Sequence, residues 1–261
     1  MRKVLVWGIL ILAFGILFSC SKSTKQENGT LIIYLTDSSG NFEAVNIVVS
    51  EVSVHMSDSD SMSGWKTICD TIQHFDLLKL QNGATALFGK NQLIPGHYTQ
   101  IRLKIGDGSN VIVEGDTFPL VIPSGYQTGI KLNHQFTINA GEIYELLLDF
   151  DAERSIVQTG TYEYKLKPVI RVVPQILSGS IKGIVIPHFC DILTISGSDT
   201  ISHTKADTST GFFKITGLLA GQYDLHFLPE GILYVDSIIY DVNVTAGNTT
   251  DLDTIRLRHL F

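Results

Sequence analysis

Residues 93–105 read LIPGHYTQIRLKI and residues 218–228 read LLAGQYDLHFL. Each places a glycine two positions before a tyrosine at the start of an apolar stretch. In the first, Ile101, Leu103 and Ile105 then alternate with Arg102 and Lys104. A period of two marks a β-strand with one buried face. The glycine permits a tight entry turn, and a tyrosine two residues into the strand packs at a sheet corner. A second pair of phrases repeats as well: NAGEIYEL at 139–146 matches TAGNTTDL at 245–252. The chain therefore reads as two related β units. The paired glycines are 45 positions apart in the first unit (Gly96, Gly141) and 26 in the second (Gly221, Gly247). The first unit carries the surplus, and it maps to residues 106–124, GDGSNVIVEGDTFPLVIPS, an added hairpin with glycine-rich ends.

Working outward, nearly every segment from residue 30 onward is short, rich in Val, Ile, Thr, Tyr and Phe, and bounded by Gly, Asn, Asp, Ser or Pro. LIIYLTD, FEAVNIVVSEVSVHM, YTQIRLKI, NVIVEG, FPLVIP, GIKLNHQFTI, EIYELLLDFD and YEYKLKPVIRVV read as strands, with a helical turn or short helix expected within residues 75–89. Pro168 and Pro174 bracket the last of these, and QILSGS follows as a polar connection. Beyond it SIKGIVIP, CDILTIS, TISHTKAD, GFFKITGL, GQYDLHFLP, YDVNVTA and TDLDTIRLR have the spacing of a small Greek-key sandwich. The expected fold is all-β: two tandem β-sandwiches of Ig or prealbumin-like, Greek-key type, an elaborated one over 29–175 and a smaller one over 178–261.

Ahead of them, Arg2 and Lys3 precede an unbroken apolar run over residues 4–18. Charged, then apolar, then small is the order of a secretory signal peptide, and about 20 apolar residues are needed to span hydrocarbon. Leu17-Phe18-Ser19-Cys20 resembles a lipobox, so the expectation is a signal peptide over 1–19, lipidation of Cys20 by fatty acyl chains such as palmitate, and a polar tether over 20–28. That implies a lipoprotein held at the bacterial outer membrane through its N-terminal lipid.

Removing Arg2 and Lys3 leaves 17 basic against 26 acidic residues, a formal charge of −9, with no Lys/Arg cluster. This excludes nucleic acid as a partner. Cys69 and Cys190 fall in different units and are expected to be separate buried thiols rather than a bridge.

The signatures of common enzymes, HExxH, CxxC pairs, GxxxxGK[ST] and GxSxG, are absent. Ser63-Gly-Trp-Lys66 and Ser202-His-Thr-Lys205 have S-x-x-K spacing, but that motif needs a helical turn and these segments read as β. The eight histidines show no ligand spacing, and no cofactor is expected. The run from Asp58 and Asp60 to Gly64 resembles a calcium loop with Met62 in place of an oxygen ligand, and is expected to be a hairpin tip. Asp149 and Asp151, two apart and read as one strand face, form the candidate cation or acid–base pair; ion pairing with Arg102, Lys104, Lys131, Lys165 or Lys167 is the alternative. In the added hairpin, Asp107, Asn110, Glu114 and Asp116 are the candidate ligand or partner residues around an apolar Val111, Ile112 and Val113. The competing reading is a hairpin that extends a sheet and covers the core. Ser61, Thr71, Thr200, Ser237 and Thr254, each between Asp and an aliphatic residue or Met, resemble acceptors for O-glycosylation of exported proteins.

The blocks PGHYTQIRLKIGDG, IPSG at 122–125, GIKL at 129–132, DFDAERSIV at 149–157 and YKLKPVIRVV at 164–173 resemble the bacterial lipoprotein family called domain of unknown function 4382. STGFFKITGLLAGQYDLHF at 209–227 resembles the carboxypeptidase-regulatory or prealbumin-like sandwich, whose relatives include starch-binding-like modules of carbohydrate-binding-like fold. These resemblances imply scaffolding or binding rather than catalysis. The expected function is a non-enzymatic cell-envelope lipoprotein, a surface or periplasmic binding and assembly component. A glycan-binding accessory lipoprotein, using Trp65, Tyr126, Tyr162 or Tyr164, is the alternative, and an unfamiliar enzyme built on Asp149 and Asp151 is a third.

Overall fold

The computed structural model describes residues 27–38, 42–57, 59–60, 63–123 and 128–260. The expected signal peptide, Cys20, most of the tether, Ser61 and Tyr126 lie outside the described residues. Among the described residues thirteen strands build the first unit: β1 (Gly29–Asp37), β2 (Ala44–Met56), β3 (Trp65–Cys69), β4 (Gln73–Asp76), β5 (Ala86–Leu93), β6 (Gly96–Ile105), β7 (Asn110–Val113), β8 (Asp116–Val121), β9 (Ile130–Ile138), β10 (Ile143–Phe150), β11 (Ile156–Gly160), β12 (Glu163–Leu166) and β13 (Ile170–Pro174). A short helix, α1 (Ala152–Ser155), follows β10. Seven strands build the second: β14 (Ser178–Ile186), β15 (Cys190–Ser196), β16 (Asp199–Lys205), β17 (Phe212–Leu219), β18 (Gly221–Pro229), β19 (Ser237–Val244) and β20 (Thr249–Arg256).

Each unit is two sheets facing across an apolar layer. The first opposes the sheet β13-β10-β1-β5 to a larger one ordered β11-β12-β8-β7-β2-β6-β9, with β3 and β4 also on β2. The second opposes β17-β14-β20 to β16-β15-β18-β19. The 13 residues of β2 explain its many partners, since its first half pairs with β7 and β4 and its second with β6 and β3. One apolar cluster runs from Leu31 to Leu166 and a separate one from Ile181 to Leu257.

The repeated phrases occupy equivalent places. Tyr98 donates its hydroxyl to the Ile94 carbonyl at 2.9 Å, and Tyr223 donates to Leu219 at 2.9 Å. Gly141 and Gly247 turn at φ 71° and 72°, a region closed to most side chains. They lead into β10 and β20, each parallel to the first strand of its unit, β1 and β14. The surplus of the first unit is a hairpin, β7–β8, with Glu114 and Gly115 both at positive φ as a two-residue turn requires.

One expectation is met in part and one is corrected. Within residues 75–89 only Leu77–Leu80 coil, as a 3-10 turn, while Leu87, Phe88 and Gly89 belong to β5. Pairing with β1 and burial of Phe88 decide that conformation, not local propensity. The stretch YEYKLKPVIRVV is two strands, β12 and β13, in different sheets. Pro168 lies in the break, where a residue lacking an N–H costs no ladder bond.

Candidate functional site

Asp149 and Asp151 lie where the two sandwiches meet. The first sandwich contributes the end of β1, the turn after the 3-10 segment, the end of β10, α1 and β13. The second contributes β16 and β17, each the edge strand of its own sheet. Asn82 and Gly83, both at positive φ, form a turn that presents the Asn82 amide to the neighbouring sandwich. Its nitrogen donates to the Lys205 carbonyl at 3.2 Å, and its oxygen accepts from Thr204 Oγ1 at 3.4 Å and from the Lys214 N–H at 3.3 Å. Arg171 donates through Nη1 to the Gly217 carbonyl at 2.7 Å and through Nη2 to Asp149 Oδ2 at 2.5 Å. Gly217, at φ 66°, lets the chains approach: a Cβ there would come within 2.9 Å of Leu147. Ser38 donates to Asp149 Oδ1 at 2.9 Å and accepts from Ser202 at 3.5 Å.

Asp149 is buried and pairs with Arg171, while Arg102 and Lys104 pair instead with Glu51, at 3.0 and 2.6 Å. Asp151 lies beyond the end of β10, so the two aspartates do not share a strand face. It caps α1, accepting from the Arg154 N–H at 2.9 Å. Burial raises Asp151, with Arg154 opposing. A third carboxylate, not singled out in the sequence, joins them. Asp37 is 4 % exposed and accepts from the Ala152 N–H at 3.0 Å and the Gln81 amide at 3.3 Å. Burial, reinforced by Asp149 and Asp151, pushes its carboxyl up to about 8, so it stays protonated at neutral pH. The space enclosed by Asp37, Ser38, Gly83, Asp149, Ser202, Thr204 and Lys214 is only ≈ 10 Å³, room for about one water molecule. Among the described residues no group of three or more His, Cys, Asp or Glu could hold a metal ion.

A titratable chain continues along the second sandwich. His203 on β16 places Nδ1 2.7 Å from Glu153 Oε2 on α1 and Nε2 3.4 Å from Asp191 Oδ1 on β15. Lys205 lies 3.8 Å from Asp191 and 2.9 Å from Glu230. Burial alone would lower His203, but Asp191 and Glu153 outweigh it and hold the imidazole above its ordinary value. Ser202 and Lys205, three apart on a strand, point to opposite faces, so the S-x-x-K spacing brings no lysine to the serine.

The hairpin is woven into the larger sheet: β7 pairs with β2, and β8 runs parallel to β12. Val111, Leu120 and Ile122 are buried in the first core. Asn110 donates to the Gly108 carbonyl and accepts from Asn46, both at 2.9 Å. Asp107, Glu114 and Asp116 are exposed. Of the aromatics, Tyr164 is buried, Tyr162 is 70 % exposed, and Trp65 is covered by the Arg102 guanidinium 4.1 Å from its ring centre. Thr71, Thr200 and Thr254 are exposed, and Ser237 is partly so. Cys69 and Cys190 are free thiols; Cys190 is buried as expected, whereas Cys69 is only half-buried.

A family profile described as Domain of unknown function (DUF4382) matches residues 28–168. No curated protein matches the chain. Among solved structures, the Bacillus anthracis TIE protein is 15 % identical with a TM-score of 0.25, over 89 % of this chain and 34 % of that one, so this chain spans about a third of its length. The minor pilin GBS52 of Streptococcus agalactiae is 11 % identical with a TM-score of 0.25, over 88 % of this chain and 96 % of that one. The fimbrial anchor protein Mfa2 of Porphyromonas gingivalis is 12 % identical with a TM-score of 0.21, over 86 % and 90 %.

Proposed function

The chain belongs to the DUF4382 family, and from that premise we propose that it is a non-catalytic binding and assembly component of the bacterial cell envelope, held at the outer membrane by lipid on Cys20. The observation that carries this reading is the closure of the joint. Ser38, Asp149, Ser202 and Thr204 enclose space for about one water between the two sandwiches, and the cleft beside it, lined by Asp149, Asp151, Arg154 and Arg171, holds only ≈ 210 Å³. Catalysis needs a cavity that admits substrate, and drug-sized ligands occupy roughly 300 Å³ or more. Side chains so engaged position two rigid sandwiches, leaving loops and strand edges for partners. The glycan alternative is less well supported, because of its candidate aromatics in the described residues only Tyr162 is largely exposed, and one face of its ring is stacked on Phe118. Exposed Thr71, Thr200 and Thr254 suit covalent sugars that would keep such a surface soluble.

Two experiments test the proposal. Cys20→Ala should release the protein from the membrane fraction, since one polypeptide without acyl chains has no other anchor in this reading; tight binding of the variant would sink it. Affinity capture from the native envelope should recover a protein partner with the wild-type chain. Hydrolysis or transfer activity abolished by Asp149→Asn would replace this reading with an enzymatic one.

A further inference from the structure

We propose that the joint between the sandwiches is a proton-controlled latch, locked while His203 is an imidazolium and hinged once it is neutral. The argument is one of charge. His203 belongs to the second sandwich, Glu153 to the first, and Asp191 to the second, and the two ring nitrogens lie 2.7 and 3.4 Å from the two carboxylates. Neither ring nitrogen is aligned to donate a hydrogen bond to these oxygens, so the contacts are ionic. Only the protonated ring attracts both carboxylates; the neutral one carries no charge and turns a lone pair toward one of them. The His203 side chain is 16 % exposed, so water reaches little of it to take over the lost contact.

The charges around the ring make the same point. Glu153 faces it from α1 and Asp191 from β15; Asp151, paired with Arg154, stands behind at the α1 cap, and Lys205 on its own strand is shared between Asp191 and Glu230, the latter in the segment after β18. Four carboxylates thus stand against two cations, and the imidazolium is the third positive charge. Lys205 already joins Asp191 to Glu230 within the second sandwich, so the attraction lost with the proton is the one to Glu153, across the joint. Asp149 and Arg171 pair with each other on β10 and β13. Asp37 reinforces the direction: as the solution passes its value of about 8 it ionises beside Asp149 and Asp151. Both groups are raised above their ordinary values. Their contribution to the closed joint is complete at low pH and fades as pH rises, through 6.5 and upward for His203 and from 3.8 to about 8 for Asp37. The contact of Arg171 with the Gly217 carbonyl carries no such dependence and keeps the halves neighbours, which makes the neutral state a hinge rather than a separation.

The Lys214 N–H crosses the joint to Asn82 and reports closure directly. Residue-resolved amide exchange on the full chain, corrected for intrinsic rates, should show Lys214 protection falling about tenfold or more between pH 6 and pH 9, while Ile192 in the second core stays protected. His203→Gln should give weak Lys214 protection at both pH values, and so should Glu153→Gln, which leaves the second sandwich untouched. Asp37→Asn should keep most of the fall. A flat wild-type profile, a His203→Gln protein that retains the fall, or an Asp37→Asn protein that loses it would each overturn the latch.

Discussion

The two sandwiches share a frame and differ at their edges. In both, a first strand pairs antiparallel on one side and parallel on the other, β1 with β5 and β10, β14 with β17 and β20. In both, a tyrosine hydroxyl closes on the carbonyl four residues earlier, and a glycine at the head of the first strand has no room for a side chain. A Cβ on Gly29 would stand 2.4 Å from the Asn139 carbonyl, and one on Gly179 2.4 Å from that of Thr245. What is common is therefore backbone geometry. What differs is added strand: two strands, β3 and β4, between β2 and β5 where β16 alone separates β15 from β17; β7 and β8 between β6 and β9, where β18 leads directly to β19; and β11 to β13 after β10. The additions do separate work, the hairpin closing the first core and β13 carrying Arg171 into the joint. A shared frame can thus be elaborated in one copy without disturbing the other, because each copy buries its own apolar cluster.

The comparison can be broken most forcefully at the hairpin. If the common frame sufficed, replacing residues 107–117 by a Gly-Ser turn would cost little. Removal of fully buried Val111 and the β2 ladder should instead destabilise the first sandwich by about 3 to 5 kcal/mol, read as earlier thermal unfolding with the second core's amides still protected. Unchanged stability would return the hairpin to the role of a dispensable binding loop. The paired glycines come next: Gly29→Ala and Gly179→Ala should each cost about 3 kcal/mol, each in its own sandwich, by denaturant unfolding resolved with amide exchange. A loss transmitted equally to both would deny their independence. Tyr98→Phe and Tyr223→Phe should cost about 1 kcal/mol apiece, the worth of one buried hydrogen bond, and a twofold or larger disparity in denaturant midpoints would show that the two corners are not equivalent. Glu114→Ala at the exposed hairpin tip should change stability by under about 0.5 kcal/mol.

Much of the frame was legible in the sequence. The Gly-x-Tyr phrase, the two Ala-Gly turns and the 19-residue surplus located matching corners, parallel closures and an inserted hairpin. The strand β5 was not legible, because ALFGKNQL over Ala86–Leu93 lacks clean alternation and buries only Phe88, Gly89 and Leu93. The joint was legible only in fragments. Asp149 and Asp151 stood out as neighbours in sequence, and Asn82-Gly83 is a turn dipeptide, but nothing marked Asp37, Arg171 or His203. Lys165 and Lys167 alternated as invitingly as Arg171 did not, yet the ion pair formed where β13 met β10.

By itself the sequence determined most of the strands, many of the turns and the repeated phrases, because those features follow from backbone dihedrals and a two-residue period that act over a few positions. Only the tertiary structure decided which charges meet. Asp37, Asn82, Asp149, Arg171, Asp191 and His203 come from six separate segments, and their protonation and pairing arise from burial between two sandwiches, a quantity that no local stretch of chain contains.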